Sequence, residues 1–166
     1  MRQLLKSISI LVFMLPLTVT ALPSDTEQKM HITADSTLFD YKRGFNTYEG
    51  NVQIVQGKTR LTADKVTTQA DSHHKIDEAI AYGTTRPAHY WTLPKEGDTL
   101  FHAEAKIIKF YPIKSTVVLE DTVTVTQGDN SFHGSIIIYN IKNQTVSAPA
   151  TTKGRATIII EPKQLN

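Results

Sequence analysis

An all-β, antiparallel fold is what this sequence predicts. Three observations carry the prediction: short runs rich in Val, Ile, Thr, Tyr and Phe, alternation of apolar and polar residues within them, and Gly, Asn, Asp or Pro between them. From residue 31 onward the runs cover 31–40, 45–55, 59–68, 74–82, 88–93, 99–110, 116–126, 131–140, 145–149 and 155–161, and the longer ones have room to break in two. Helical periodicity is weak. The segment nearest to it, 75–82, is short and ends at Gly83, which favours a strand.

Within these runs, Asn51-Val52-Gln53-Ile54 and Thr122-Val123-Thr124-Val125-Thr126 alternate most cleanly. A strand with that pattern covers one face and wets the other, as in antiparallel sheets. Gln56-Gly57-Lys58, Tyr111-Pro112 and Gln127-Gly128-Asp129-Asn130 lie between runs as hairpin connections. The chain also repeats itself. Ile32-Thr33-Ala34-Asp35 with Leu38 resembles Phe101-His102-Ala103-Glu104 with Ile107 at an offset of 69 residues. Val52, Gln56, Gly57 and Leu61 match Val123, Gln127, Gly128 and Phe132 at an offset of 71, which predicts two extra residues near Tyr111-Pro112 in the second copy.

The N-terminus reads as an export signal. Arg2 and Lys6 precede an apolar stretch over 8–17, and Val19-Thr20-Ala21 offers the small residues of a cleavage site. The apolar stretch is shorter than the roughly 20 residues of a membrane-spanning helix, and Pro16 interrupts it. Removing residues 1–21 from the 166 leaves 145, over 22–166, a suitable length for one domain with its own core. Cleavage also reduces the 18 Lys and Arg to 16, equal to the 16 Asp and Glu, so bulk charge gives no case for a nucleic-acid partner. The absence of cysteine excludes disulfides and thiol chemistry.

Catalytic constellations are hard to find. His31, His89, His102 and His133 fall singly in different runs, and adjacent residues such as His73-His74 point to opposite faces of a strand, so no metal site is expected. Asp64, Asp71, Asp77 and Glu78 read as solvated acids at turns or outward positions. No nucleophile elbow, phosphate loop or dinucleotide fingerprint occurs, so neither an enzyme nor a cofactor is expected.

Ala34-Asp35, then Tyr48-Glu49-Gly50-Asn51-Val52-Gln53-Ile54-Val55-Gln56-Gly57, then Leu61-Thr62-Ala63-Asp64-Lys65-Val66 resemble the opening of the OstA-like family. Within it, they are most similar to the periplasmic lipopolysaccharide-transport bridge proteins. The likeness continues through Tyr82-Gly83, Arg86-Pro87-Ala88, His102-Ala103, Val117-Val118-Leu119 and Ile160-Glu161-Pro162-Lys163-Gln164-Leu165, nearly all of 22–166. It departs from the pattern where Gly50-Asn51 becomes Asp121-Thr122 in the second copy and where His73-His74 replaces a longer glycine-rich loop.

The resemblance implies a slightly twisted β-jellyroll open at both ends. Its apolar interior would take the lipid A of lipopolysaccharide, and copies would join head to tail into a periplasmic bridge from inner to outer membrane. The expected partners are lipopolysaccharide, other copies, and jellyroll domains of the inner- and outer-membrane transport complexes. Alternation together with the resemblance assigns Met30, Ile32, Val52, Ile54, Leu61, Ala63, Tyr90, Phe101, Ile108, Phe110, Val123, Val125 and Phe132 to the interior, and the resemblance singles out Met30, Tyr90 and Ile108 as the cargo groove. Ala156, Thr157, Ile158, Ile159 and Ile160 form a strongly β-forming, lightly defended edge suited to strand addition. The alternative is a periplasmic structural or carbohydrate-binding sandwich with a solid core.

Overall fold

The computed structural model describes residues 28–94, 97–152 and 154–161; the signal segment expected over 1–21 lies outside them. Among the described residues twelve strands form: β1 (Met30–Thr33), β2 (Ser36–Asp40), β3 (Phe45–Gln56), β4 (Thr59–Ala70), β5 (Ile76–Tyr82), β6 (Ala88–Thr92), β7 (Phe101–Ala105), β8 (Ile107–Tyr111), β9 (Thr116–Gln127), β10 (Asn130–Asn140), β11 (Thr145–Ser147) and β12 (Thr157–Ile159). Two of the runs read from the sequence break. The run over 31–40 splits at Ala34-Asp35 into β1 and β2, and the run over 99–110 splits at Lys106 into β7 and β8. The segment 76–82 is a strand, as its Gly83 terminator predicts.

All pairings are antiparallel and fall into two ladders. One runs β2, the first half of β3, the second half of β4, β5, β8, the first half of β9, the second half of β10 and β11. The other runs β1, the second half of β3, the first half of β4, β6, β7, the second half of β9, the first half of β10 and β12. The long strands β3, β4, β9 and β10 belong to both ladders. The ladders meet face to face: Phe101 on β7 stacks on Tyr139 on β10, their ring centroids 4.1 Å apart. The result is a β-jellyroll with a core between its two faces.

The crossings are made by left-handed backbone. Gly50 and Asn51 have φ of 76° and 46°, and Asp121 and Thr122 have φ of 62° and 55°. Each pair bends its strand where the register with the neighbouring strand shifts. A side chain on Gly50 would overlap the Asp35 carboxylate, which accepts a hydrogen bond from Asn51 Nδ2 at 2.9 Å. The replacement of Gly-Asn by Asp-Thr in the second copy therefore changes residues without changing the bend.

The main-chain pairing corrects the expected repeat. Ile32 pairs with Ile54, and 71 residues later Ala103 pairs with Val125. Asp40 pairs with Phe45, and 71 residues later Tyr111 pairs with Thr116. The amide of Asp35 donates to the Gly50 carbonyl at 2.9 Å, and that of Lys106 donates to the Asp121 carbonyl at 3.0 Å. The offset is 71 throughout these pairs, with no extra residues at Tyr111-Pro112. Aligning Ala34-Asp35 with Ala103-Glu104 slips the register by two, a slip that leaves every side chain on its own face and so leaves the alternation unchanged.

Candidate functional site

Six of the residues assigned to the interior are buried: Val52, Tyr90, Phe101, Ile108, Val123 and Val125. Ile32, Ile54, Leu61, Ala63, Phe110 and Phe132 pack half-buried against the same cluster. Met30 shares a face with Ile32 on β1 but is 43 % exposed at the margin of the sheet. Around Ile108 the interior is closed, that residue being only 1 % exposed. The interior assignment left out Tyr48, Val117, Leu119 and four alanines, which lie on inward faces, and it also left out Val66, Ile137 and Tyr139. On β4 the inward positions change parity, from Leu61 and Ala63 to Val66, and on β10 from Phe132 to Ile137 and Tyr139. Each half alternates correctly by itself, so only the bend between halves reveals the change.

One interior group stands apart chemically. The Tyr139 hydroxyl is buried with no hydrogen-bond partner among the described residues. Burial, and then the Asp98 charge, push its pKa up, so it is a neutral hydrogen-bond donor. An unsatisfied buried hydroxyl costs about 1–3 kcal/mol.

Both margins of the jellyroll are open. Among the described residues, β1 and β2 pair only with β3, and β11 and β12 pair only with β10. Of the expected edge 156–160, Thr157–Ile159 forms the strand, in register Ser131↔Ile159 to His133↔Thr157. Ile158, Ile159 and Ile160 are about half exposed there, and Met30, Leu38 and Phe39 are exposed on the opposite margin. Apolar side chains beside unpaired backbone at both margins are the features of a sheet that accepts further strands.

Two polar clusters depart from the sequence reading. Asp64 is not a plain solvated acid: its Oδ2 accepts hydrogen bonds from the Thr84 amide (2.7 Å) and hydroxyl (2.8 Å) and from the Thr85 amide (2.6 Å) and hydroxyl (2.9 Å). These bonds, the Thr85 amide foremost, hold its pKa well below the usual carboxylate range. They anchor the loop over 83–87, where the chain leaves one ladder at β5 and enters the other at β6. His89 and His102 are likewise not isolated, because β6 and β7 pair and bring them together with Glu104 on the outer face. Burial lowers the His102 pKa, with Glu104 opposing and His89 assisting.

Comparison with known proteins defines the class. Residues 31–145 match the family described as LptA/(LptD N-terminal domain) LPS transport protein. The class is that of lipopolysaccharide transport proteins and not of enzymes. The chain is 34 % identical over 151 residues to the lipopolysaccharide export system protein LptH of Pseudomonas aeruginosa, covering 87 % of this chain and 85 % of that protein. It is 30 % identical over 146 residues to LptA of Escherichia coli K12, covering 87 % of this chain and 77 % of that protein. The crystal structure of P. aeruginosa LptH, described as the LptA-homologous periplasmic component of the lipopolysaccharide transport device, superposes with a TM-score of 0.76 at 32 % identity, over 84 % of this chain and all of that one. The chain belongs to the LptA/LptD N-terminal family, and its role is in lipopolysaccharide export.

Proposed function

We propose that this protein is exported with cleavage of residues 1–21, and that the domain over 22–166 carries lipopolysaccharide across the periplasm with lipid A held between its two sheet faces. Copies stand head to tail in a bridge whose ends dock on jellyroll domains of the inner- and outer-membrane transport complexes. The observation that carries this reading is the 71-residue repeat and where it stops. Within the chain, β4 hands the two ladders on to β5 and β6, and these pair with β8 and β7. Counted by the repeat, β10 corresponds to β4, and β1 and β2 to β7 and β8; β11 and β12 take the places of β5 and β6 by pairing with the matching halves of β10, at offsets three to four residues shorter than 71. Among the described residues, β11 and β12 are therefore not followed by a next pair of strands, and β1 and β2 are not preceded by one. Seating β2 of a second copy on β11, and its β1 on β12, reproduces the internal junction and makes the apolar interior continuous from copy to copy.

A continuous dry interior is what the cargo requires. Exposing one acyl chain of a dozen methylenes to water costs on the order of 10 kcal/mol. The unpartnered Tyr139 hydroxyl supplies a donor for a polar group of such a cargo. Because Ile108 is closed off, loading requires the two faces to separate. That closure is also what a solid-cored carbohydrate-binding sandwich would show, so the deciding test lies at Ile108. A photo-reactive residue at Ile108 should form an adduct with lipopolysaccharide in cells, and one at the outward Thr124 should not. Adducts at neither Ile108, Tyr90 nor Met30 in a folded protein would make the interior a packed core.

A further inference from the structure

On the outer face of the second ladder, away from the apolar interior, three donor atoms form a small triangle. His89 and Glu104 are direct cross-strand partners on β6 and β7, and His102 lies two residues before Glu104 on the same face. His89 Nδ1 is 3.4 Å from His102 Nε2 and 3.4 Å from Glu104 Oε1, and His102 Nε2 is 3.6 Å from the same oxygen. All three side chains are half-buried. Ligands held about 2.0–2.1 Å from a tetrahedral ion lie about 3.3–3.4 Å from one another, so the triangle already has close to the dimensions of three corners of such a site. We infer that His89, His102 and Glu104 bind Zn2+ or a similar transition-metal dication, with a fourth position open to solvent.

The donor set selects the ion. Two imidazoles and one carboxylate suit zinc, copper or nickel, whereas Mg2+ and Ca2+ prefer oxygen ligands alone. The flanking strands add hydroxyls rather than charges at the adjoining positions: Thr62 pairs with His89, Thr126 with His102 and Thr124 with Glu104. His133 is further off and engaged, its Nδ1 3.2 Å from Thr124 Oγ1. A bound ion would link β6 to β7 from outside and fasten the hairpin whose other face carries Tyr90 and Phe101. Metal loading is then a property of the scaffold, separable from cargo binding.

The site comes with its own reporter. Trp91, the single tryptophan of the chain, lies with its ring centroid 5.3 Å from that of His89 and 5.1 Å from that of His102. The test uses the full chain without a histidine tag, stripped with EDTA and titrated with Cu2+ or Ni2+, which quench nearby indole fluorescence. Saturable quenching at stoichiometric ion is expected, relieved by competing Zn2+. His89→Gln and His102→Gln should each weaken the ion by more than about tenfold, since losing even an outer-shell partner costs that much. Glu104→Gln should weaken it while keeping the side-chain shape, and His73→Gln with His74→Gln should leave it unchanged. Zn2+ at a hundredfold excess over its Kd should raise the melting temperature by about 5 °C or more in the wild type, and not in His102→Gln. Absence of saturable quenching, or quenching that survives His89→Gln and His102→Gln in proteins with an unchanged β circular-dichroism spectrum, would overturn the assignment and leave a hydrogen-bonded surface cluster.

Discussion

Thr122 carries a β-branched side chain at a φ of 55°, where L residues other than Asn, Asp and Gly are rarely found. It is exposed, so replacing it loses little packing. Thr122→Gly should therefore stabilise the protein by ~1 kcal/mol, the reverse of the usual effect of glycine in a strand, and raise the melting temperature by about 2–4 °C. The same change at Thr124, which has no left-handed φ, should lower it. A second residue-scale effect concerns acid. The folded Asp64 carboxyl is held below its unfolded value near 3.9 by the Thr84 and Thr85 donors. Its contribution is fully present above about pH 4 and is lost as the pH falls towards the folded value. Melting curves at pH 7 and pH 2.5 should consequently lie closer together in Asp64→Asn than in the wild type; an unchanged gap would show that the four hydrogen bonds add nothing to acid sensitivity.

At the scale of elements, most strands and hairpin turns were legible because they are local. The Gly57-Lys58 and Gly128-Asp129 turns fall between strands as their residues predict, with Gly57 and Gly128 at φ of 58° and 59°. The breaks at Ala34-Asp35 and Lys106 were not legible as boundaries, because a strand that changes ladder keeps its β-forming composition on both sides of the bend. The same bends hid Val66 and Tyr139 behind a parity change. The His89, His102 and Glu104 cluster escaped for a different reason: it depends on which residue of β6 faces which residue of β7, a register set by the whole sheet. Twelve of the thirteen residues assigned to the interior join one apolar cluster, since alternation reports burial well. Met30 shares the face of Ile32 but is more exposed, because among the described residues β1 has a neighbour on one side only.

For the whole molecule, the assembly proposed above depends on the open margins. Deleting residues 156–166 removes β12 and leaves the first half of β10 without its outer partner. If the proposed head-to-tail oligomers form in the intact chain, size-exclusion chromatography with light scattering should report monomers of the truncated protein at the same concentration, with the proposed lipopolysaccharide binding retained. Oligomers surviving that truncation would mean that the contact lies elsewhere on the surface.

The 71-residue repeat has a consequence for length. If the joint between copies reproduces the joint inside each one, growth at a tip is indifferent to how many copies already stand behind it. Every addition then has the same free energy, and nothing in the geometry closes the array into a ring or limits it to a set number. Such an array behaves as a linear polymer whose extent is fixed by its terminators. The gap between two membranes would be gauged by whatever caps the first β1 and the last β12, so a change in that spacing could be met by adding or shedding copies with no change in the protein itself.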